Sequence, residues 1–586
     1  MRPAVATAPR ARVPRVPSRV PASVLIITAY LLVGVLAFWP MALSHLFGVQ
    51  VDYIQSVWFL DWVPHSLAHG LNPFFSDAIF VPTGANLAQN TSSPLLGLLA
   101  AALAMFGPVV RINLLMTLAM PLSATAAFMV LQKWEVWIAA AAVGGLVYGF
   151  SPYMVGQATG HIELTFLPLP PLIASALVSI AQQRGSPRRL GVQLGLLITA
   201  QYLVSPEVLT TVAILSTVAL ACVVVRRPEL ARAFVQPLAL AAAVAAVLLS
   251  YPLWMMLDGA QHFAGRTWPT SNPFHNDLLS FVVPGPLQRV SLGMRSLGIR
   301  LIGAGIAAEA GGYIGVPVVV IAGYLAWQSR NRFRVKLAVV LLITSIVLSL
   351  GPQLFVDGRS TSIPLPFLLM THVPFLDDVL PSRINLEVAG CLAAVIAFGL
   401  DDAHKRSHLM RPSSVILAAA TLAVVAITQL PIWPPRGPYA PQPVVALPAG
   451  LCVPHGNPVT ITYPYATFPD VQPMLWQAED GFRFRILGGY AYRPTSEGSP
   501  TALPRIMNPS SLQQFLAGQE DAVGFGPPLP VNLKLVTSAR ATLERYDVRL
   551  IIVDRSTPGS TPVMELFTEA LGPPQRSAGD FSMWAS

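Results

Sequence analysis

Charge is scarce in this 586-residue chain. Asp, Glu, Lys and Arg make up 11% of it, against 53% hydrophobic residues, and mean hydropathy is +0.58. So little charge excludes a single soluble core, and the apolar runs of about 17 to 25 residues match the thickness of a bilayer. Cysteine is nearly missing. Of the three, Cys222 and Cys391 fall inside apolar runs and Cys452 lies near the carboxyl end, which excludes a disulfide framework and leaves a zinc-cysteine site unsupported. The net charge of +9 comes from short loops between apolar runs. Residues 432–586 carry 11 Lys plus Arg against 12 Asp plus Glu, so the basic patch of a nucleic-acid binder is absent and no nucleic-acid partner is expected.

One stretch lacks basic residues altogether. Residues 45–91 contain Asp52, Asp61 and Asp77 but no Lys or Arg, together with Trp58, Trp62, His65 and His69. Residues 1–21 are the opposite: Arg2, Arg10, Arg12, Arg15 and Arg19 with no acid, a basic arm expected in the cytoplasm. The first apolar run, about 22–44, exceeds a signal-peptide core and reads as an uncleaved anchor running outward.

Loop charge then orders the remaining runs. RGSPRR (184–189), RRPELAR (226–232), RNRFRVK (330–336) and HKRSHLMR (404–411) fall on the inner side if residues 92–107 do not span but lie in the interface or re-enter. The expected spans are 22–44, 112–131, 136–152, 164–182, 190–204, 208–225, 233–257, 310–327, 337–352, 385–400 and 413–431. The fold class is thus a polytopic α-helical membrane protein of about eleven transmembrane helices. Its outer loops are 45–111, 153–163, 258–309 and 353–384. Residues 432–450 form a Pro-rich linker. Beyond it, VTITYPY and DVRLIIVD read as strands and SSLQQFLAG and VMELFTEALG as helices, giving a small extracytoplasmic α/β domain at 451–586.

On a helix starting near Asp52, Trp58, Trp62, His65 and His69 share one stripe and Asp61 faces the opposite way. The stripe suits an interfacial belt or a substrate wall. Asp52, beside the bilayer, calls for a partner or a function. His161 and Glu163 point the same way if their loop is extended, where they suit a divalent cation or a phosphate-bound sugar; otherwise they are a solvated His and a capping Glu. Arg383, at an outer helix entrance, suits a phosphate or a lipid headgroup. Arg266 is a second such position, and Glu207 and Glu309 stand at outer turns. Gly303-Ala-Gly305 follows no strand and is set aside as a dinucleotide fingerprint.

The inward arm, the large outer loop with Asp52 after the first helix, and the second outer loop with His161 and Glu163 together resemble the GT-C superfamily of membrane glycosyltransferases. VDYIQSVWFLDW, GLNPFFSDAIFVPTGANL, YGFSPYMVGQATGH, GGYIGV and LPSRI resemble a bacterial YfhO-type branch. The resemblance implies a polyprenyl-phosphate-linked sugar donor, an envelope glycan, lipid or protein acceptor, and a plasma-membrane location. It also implies a catalytic Asp52, as base on the acceptor hydroxyl or as a metal ligand, assisted by Glu163; the residues themselves add His161 to that catalytic group, Arg383 or Arg266 for the phosphate, and Trp58 and Trp62 for the substrate. A divalent cation, Mg or Mn, on Asp52, His161 and Glu163 is implied too, although His161 stands where that family often has a second acid. A transporter or flippase of lipid-linked glycans would show ionisable residues in mid-helix and internal repeats, which are not evident here. A non-catalytic envelope-assembly protein is the remaining alternative.

Overall fold

The computed structural model describes residues 21–585 apart from 40–42, 44, 47–49, 268–273, 303–305, 407–410, 437–439, 449, 452, 496–497, 499–508 and 521–528. The basic arm, Gly303–Gly305 and Cys452 therefore lie outside the described residues.

Helices occupy the expected spans, with boundaries set largely by proline. Helix α1 (Ala22–Phe38) stops short of residue 44, because Trp39 precedes Pro40 and is held extended at φ −80°, ψ 138°. After it come α2 (Gln50–Ala68), α3 (Pro94–Ala101), α4 (Pro108–Lys133), α5 (Ile138–Gly149), α6 (Pro152–Gln157), α7 (Leu169–Ala181), α8 (Pro187–Val204) and α9 (Pro206–Arg226). The expected span 233–257 divides into α10 (Ala231–Leu248) and α11 (Ser250–Asp258), since Pro252 lacks the N–H that would continue the ladder. Next are α12 (Arg295–Leu301), α13 (Val316–Gln328), α14 (Phe333–Ser349), α15 (Asn385–Arg406) and α16 (Arg411–Thr428).

Six helical stretches among the described residues are long and apolar enough to cross a membrane, namely 108–133, 138–157, 162–181, 206–226, 228–248 and 381–406. Helices α1, α13 and most of α16 are apolar but shorter. Eleven crossings is thus more than helix length and apolarity establish. Residues 92–107 hold only the eight-residue α3, which lies on α2. A Cβ on Gly97 would stand 2.9 Å from the Leu60 carbonyl, so the glycine permits that approach. The same device joins α5 to α4, where a Cβ on Gly149 would lie 2.5 Å from the Ala124 nitrogen.

The carboxyl-terminal part is a mixed five-stranded sheet with helices. Its strands are β1 (Val459–Tyr463), β2 (Arg485–Ile486), β3 (Val548–Asp554), β4 (Arg576–Ala578) and β5 (Phe581–Ala585), in the order β4-β5-β3-β1-β2. Strand β1 runs parallel to β2 and β3 and is buried throughout, as a central parallel strand must be. Helices α17 (Gln472–Glu479), α18 (Ser511–Gly518), α19 (Leu533–Arg545) and α20 (Ser560–Leu571) complete it.

This sheet does not hang from a free linker. Residues Gln442–Pro443 pair with His45–Leu46, the Val445 carbonyl accepts from Gln472 Nε2 at 2.7 Å and Trp476 Nε1 at 3.0 Å, and Trp433 Nε1 donates to the Ala37 carbonyl. Trp476, Ile552 and Phe581 belong to the same apolar core as Trp58 and Met116.

Candidate functional site

The site assembles where the first turn of α2, the α6–α7 connection and the carboxyl-terminal part converge. Helix α2 is almost wholly enclosed, with Tyr53, Trp58 and Phe59 fully buried, so its first turn is rigidly placed. Asp52 sits in that turn. Its Oδ1 accepts from Tyr490 Oη at 3.4 Å, and its Oδ2 lies 3.6 Å from His161 Nε2. Ser56 Oγ, one turn further along α2, donates to the Gly160 carbonyl at 3.2 Å and fixes the His161 loop against the helix.

His161 precedes a short 3-10 helix, Ile162–Leu164, rather than an extended strand, so its alignment with Glu163 is not the one an extended loop would give. Glu163 is 4% exposed and lies within electrostatic reach of His161, Arg383 and Asp52. His161 Nδ1 is buried and has no hydrogen-bond partner among the described residues, and the same holds for Tyr153 Oη and Gln157 Oε1 on α6.

Arg383 does reach this centre, but it is occupied. It lies in the 3-10 turn Pro381–Ile384; Nη1 donates to Glu207 Oε2, and Nε and Nη2 donate to Glu309 Oε1 at 3.3 and 3.2 Å. Ser382 Oγ adds a hydrogen bond to Glu309 Oε2 at 3.0 Å. Burial acts to raise the Glu309 carboxyl, but Arg383, with His161 and Ser382, holds it below the usual carboxylate range. A guanidinium shared by two carboxylates is not free to grip a phosphate, which corrects the expectation for Arg383. Glu207 and Glu309 are instead its partners.

Two further expectations differ from the packing, and Asp61 lies where expected. Trp58 and Trp62 stack with ring centroids 5.5 Å apart, and both meet Phe482 edge-on at 5.4 Å. Trp58 Nε1 donates to Gln477 Oε1 at 2.8 Å, and the two indoles are 0% and 2% exposed. The stripe therefore docks the carboxyl-terminal part instead of facing lipid or substrate. Arg266 is bound to Asp377 Oδ2 at 3.0 Å and to the Thr371 carbonyl, where a phosphate was expected. Asp61, on the far face of α2, pairs with Arg111 at 2.7 Å; burial still pushes its carboxyl up to about 6.

No group of three His, Cys, Asp or Glu side chains suited to a metal ion occurs among the described residues. Asp52 and His161 approach each other without Glu163 completing a set, so the donors do not fit the implied cation.

Two residues absent from the sequence reading complete the pocket. Tyr490 is held at its backbone by Gln55 Nε2, which donates to the Tyr490 carbonyl at 2.8 Å, and its ring stacks on Phe468. Burial, then the Asp52 charge, pushes its hydroxyl well above the ordinary phenol range. Tyr492 is pinned by Asn90 through Oδ1 and Nδ2 at 2.8 and 3.2 Å and lies within reach of both Arg383 and Asp52; burial pushes its hydroxyl up to about 12. The only sequence signal is the motif Gly-Gly-Tyr-Ala-Tyr, which says nothing about a partner 438 residues away.

Neither a protein-family model nor a curated protein matches the sequence. Among solved structures, the mycobacterial arabinofuranosyltransferase AftD is similar at a TM-score of 0.51 and 13% identity, over 96% of this chain and 41% of that one. The chain thus spans less than half the length of that enzyme. The Archaeoglobus fulgidus oligosaccharyltransferase is similar at 0.44 and 11% identity in its apo form, over 91% of this chain and 70% of that one. Its complex with an inhibitory peptide and a dolichol-phosphate gives 0.41 and 12%, over 92% and 70%. The fold of the chain is accordingly similar to that part of AftD which it covers.

Proposed function

We propose that the chain is a membrane glycosyltransferase. It moves a sugar from a polyprenyl-phosphate-linked donor to a hydroxyl of an envelope glycan, lipid or protein, on the extracytoplasmic face of a bacterial plasma membrane. The observation that carries this reading is the Asp52 carboxylate, held at one oxygen by Tyr490 and separated at the other from His161 Nε2 by 3.6 Å. That separation exceeds a direct hydrogen bond, and a hydroxyl seated beside the pair lies within reach of both atoms.

An acceptor hydroxyl seated there donates to Asp52 Oδ2. As its oxygen bonds to the anomeric carbon, the bond from that carbon to the lipid-phosphate oxygen breaks and the phosphate leaves with the electron pair. The acceptor proton passes to Asp52, the general base. His161 Nε2 borders the same space as a donor, while Arg383, neutralised by Glu207 and Glu309, fixes the wall behind it.

Sidedness is supported by α15. Arg383 lies just before its first residue, and at the other end Asp401 pairs with Arg334 and Lys405, and Asp402 with Arg332 and Arg406. The whole helix, 22 residues, is about 33 Å long, enough to cross a bilayer core, and Arg332, Arg334, Lys405 and Arg406 gather at the end away from Arg383.

The test is transfer of a radiolabelled sugar from polyprenyl phosphate in membranes bearing Asp52→Ala or Asp52→Asn. Both variants are expected to lose transfer at unchanged abundance. Transfer at the unaltered rate would remove Asp52 from the chemistry.

A further inference from the structure

The loop between α14 and α15 contains a run that is too short to span and too apolar for water. Residues 363–376, IPLPFLLMTHVPFL, hold no charged residue other than His372. Ile363 is 51% exposed, Leu369 75%, Val373 44% and Phe375 64%. The hairpin just before it, Gln353–Val356 with Arg359–Pro364, is polar at its tip, where Arg300 pairs with Asp357 at 2.5 Å.

The run does not lie above the helix ends. The 3-10 helix Pro366–His372 buries Phe367 and Met370 in one apolar cluster with Leu215 of α9 and Leu348 of α14, and Ile214 and Leu341 border that cluster. Leu215 and Leu341 are each about two and a half turns inside their helices. The segment therefore packs on α9 and α14, whose outward faces are themselves apolar: Val340 and Ile343 of α14 are 44% and 56% exposed, and α9 is long and apolar enough to cross a membrane.

Its backbone is largely satisfied from within. The Leu368 carbonyl takes Thr371 Oγ1 at 2.8 Å and lies 2.9 Å from His372 Nδ1; Val373 N donates to Met370 O, Asp377 N to Val373 O, and Arg266 covers the Thr371 carbonyl. Irregular chain that faces lipid does not enter the hydrocarbon core, so a segment of this kind with exposed apolar side chains belongs at the headgroup–acyl boundary.

We propose that residues 363–376 form an interfacial element seated at the headgroup–acyl boundary of the bilayer leaflet that borders the Asp52 site, with Leu369, Val373 and Phe375 in contact with the acyl chains. The partner is the lipid tail region, continuous with the outward faces of α9 and α14. The segment returns to the polar layer at Asp377 and Asp378, which take Arg266 and Thr267. Leu380 N then donates to Glu207, so the lipid-seated run ends against the carboxylates that hold Arg383. The inference does not depend on the transferase reading.

The test uses the unaltered full chain in proteoliposomes, exposed to a carbene precursor that partitions into the bilayer. Adducts are expected on 366–376 and on α9, and not on 353–362. Labelling of α9 without labelling of 366–376 overturns the proposal, and points to water or a protein partner over this face. As a second measurement, nitroxides at Leu369→Cys and Phe375→Cys are expected to be severalfold less accessible to a water-soluble nickel relaxant, and more accessible to oxygen, than one at Arg359→Cys. Equal nickel access at all three positions overturns it as well.

Discussion

At the scale of single residues, the chain concentrates its few charges into pairs that cannot be separated cheaply. Arg383 is the example, because removing it strands Glu309, which is 6% exposed, without its cation. Arg383→Gln is therefore expected to lower stability by about 3–5 kcal/mol, the scale of breaking a buried pair. The loss should appear in thermal unfolding in detergent, and Glu309→Gln in the same chain should recover part of it. Glu520 makes the opposite case. Its Oε1 accepts from Tyr465 N at 2.6 Å, and burial pushes its carboxyl up to about 9. In the unfolded chain a Glu titrates near 4.3, so the fold favours the neutral acid; that contribution is complete below about pH 4 and is lost as pH rises toward 9. Glu520→Gln should leave the melting temperature near pH 4 almost unchanged and raise it at pH 8. An equal shift at both values would mean that ionisation is not the cause.

At the scale of elements, α2 decides what the Asp52 pocket is made from. Its tryptophan stripe has the helical period read from the sequence, but period reveals only that one face is apolar, not what covers it. Phe482, from a segment more than 400 residues away, covers it here. Phe482→Ala should weaken this docking by about 3–5 kcal/mol, as for other buried aromatic truncations. Limited proteolysis is expected to release the carboxyl-terminal part sooner, and sugar transfer to fall, while the membrane helices keep their helical signal. Unchanged protease resistance would show that the aromatic cluster is incidental. The apolar runs, the α2 helix and the strands VTITY and VRLIIVD were legible because each signal is local. Glu207 and Glu309 were visible only as isolated acids, since their common partner Arg383 is 176 and 74 residues away. Tyr490 and Tyr492 carried only the Gly-Gly-Tyr-Ala-Tyr motif, which names no partner.

At the scale of the molecule, the distribution of Lys and Arg predicts an orientation that can be checked directly. Cysteines introduced at positions 52 and 163 are expected to be protected from a membrane-impermeant maleimide applied to the cytosolic side, whereas one at Lys405 should react there. Reaction of position 52 from the cytosol alone would invert the proposed location of the chemistry. The helical scaffold could be read from composition because bilayer thickness constrains sequence so strongly. The sheet's attachment to that scaffold could not, because Trp433, Val445 and Trp476 make it through contacts that leave no periodic trace.

The hydrogen bond between Tyr490 and Asp52 also imposes a timetable on biogenesis. A nascent polypeptide that has threaded every helix through the translocation machinery still has an unfinished pocket, because the phenol that steadies its carboxylate has yet to emerge from the ribosome and cross. If Asp52 acts as proposed, ribosome-stalled intermediates ending before residue 490 should be inserted yet inert in the transfer assay.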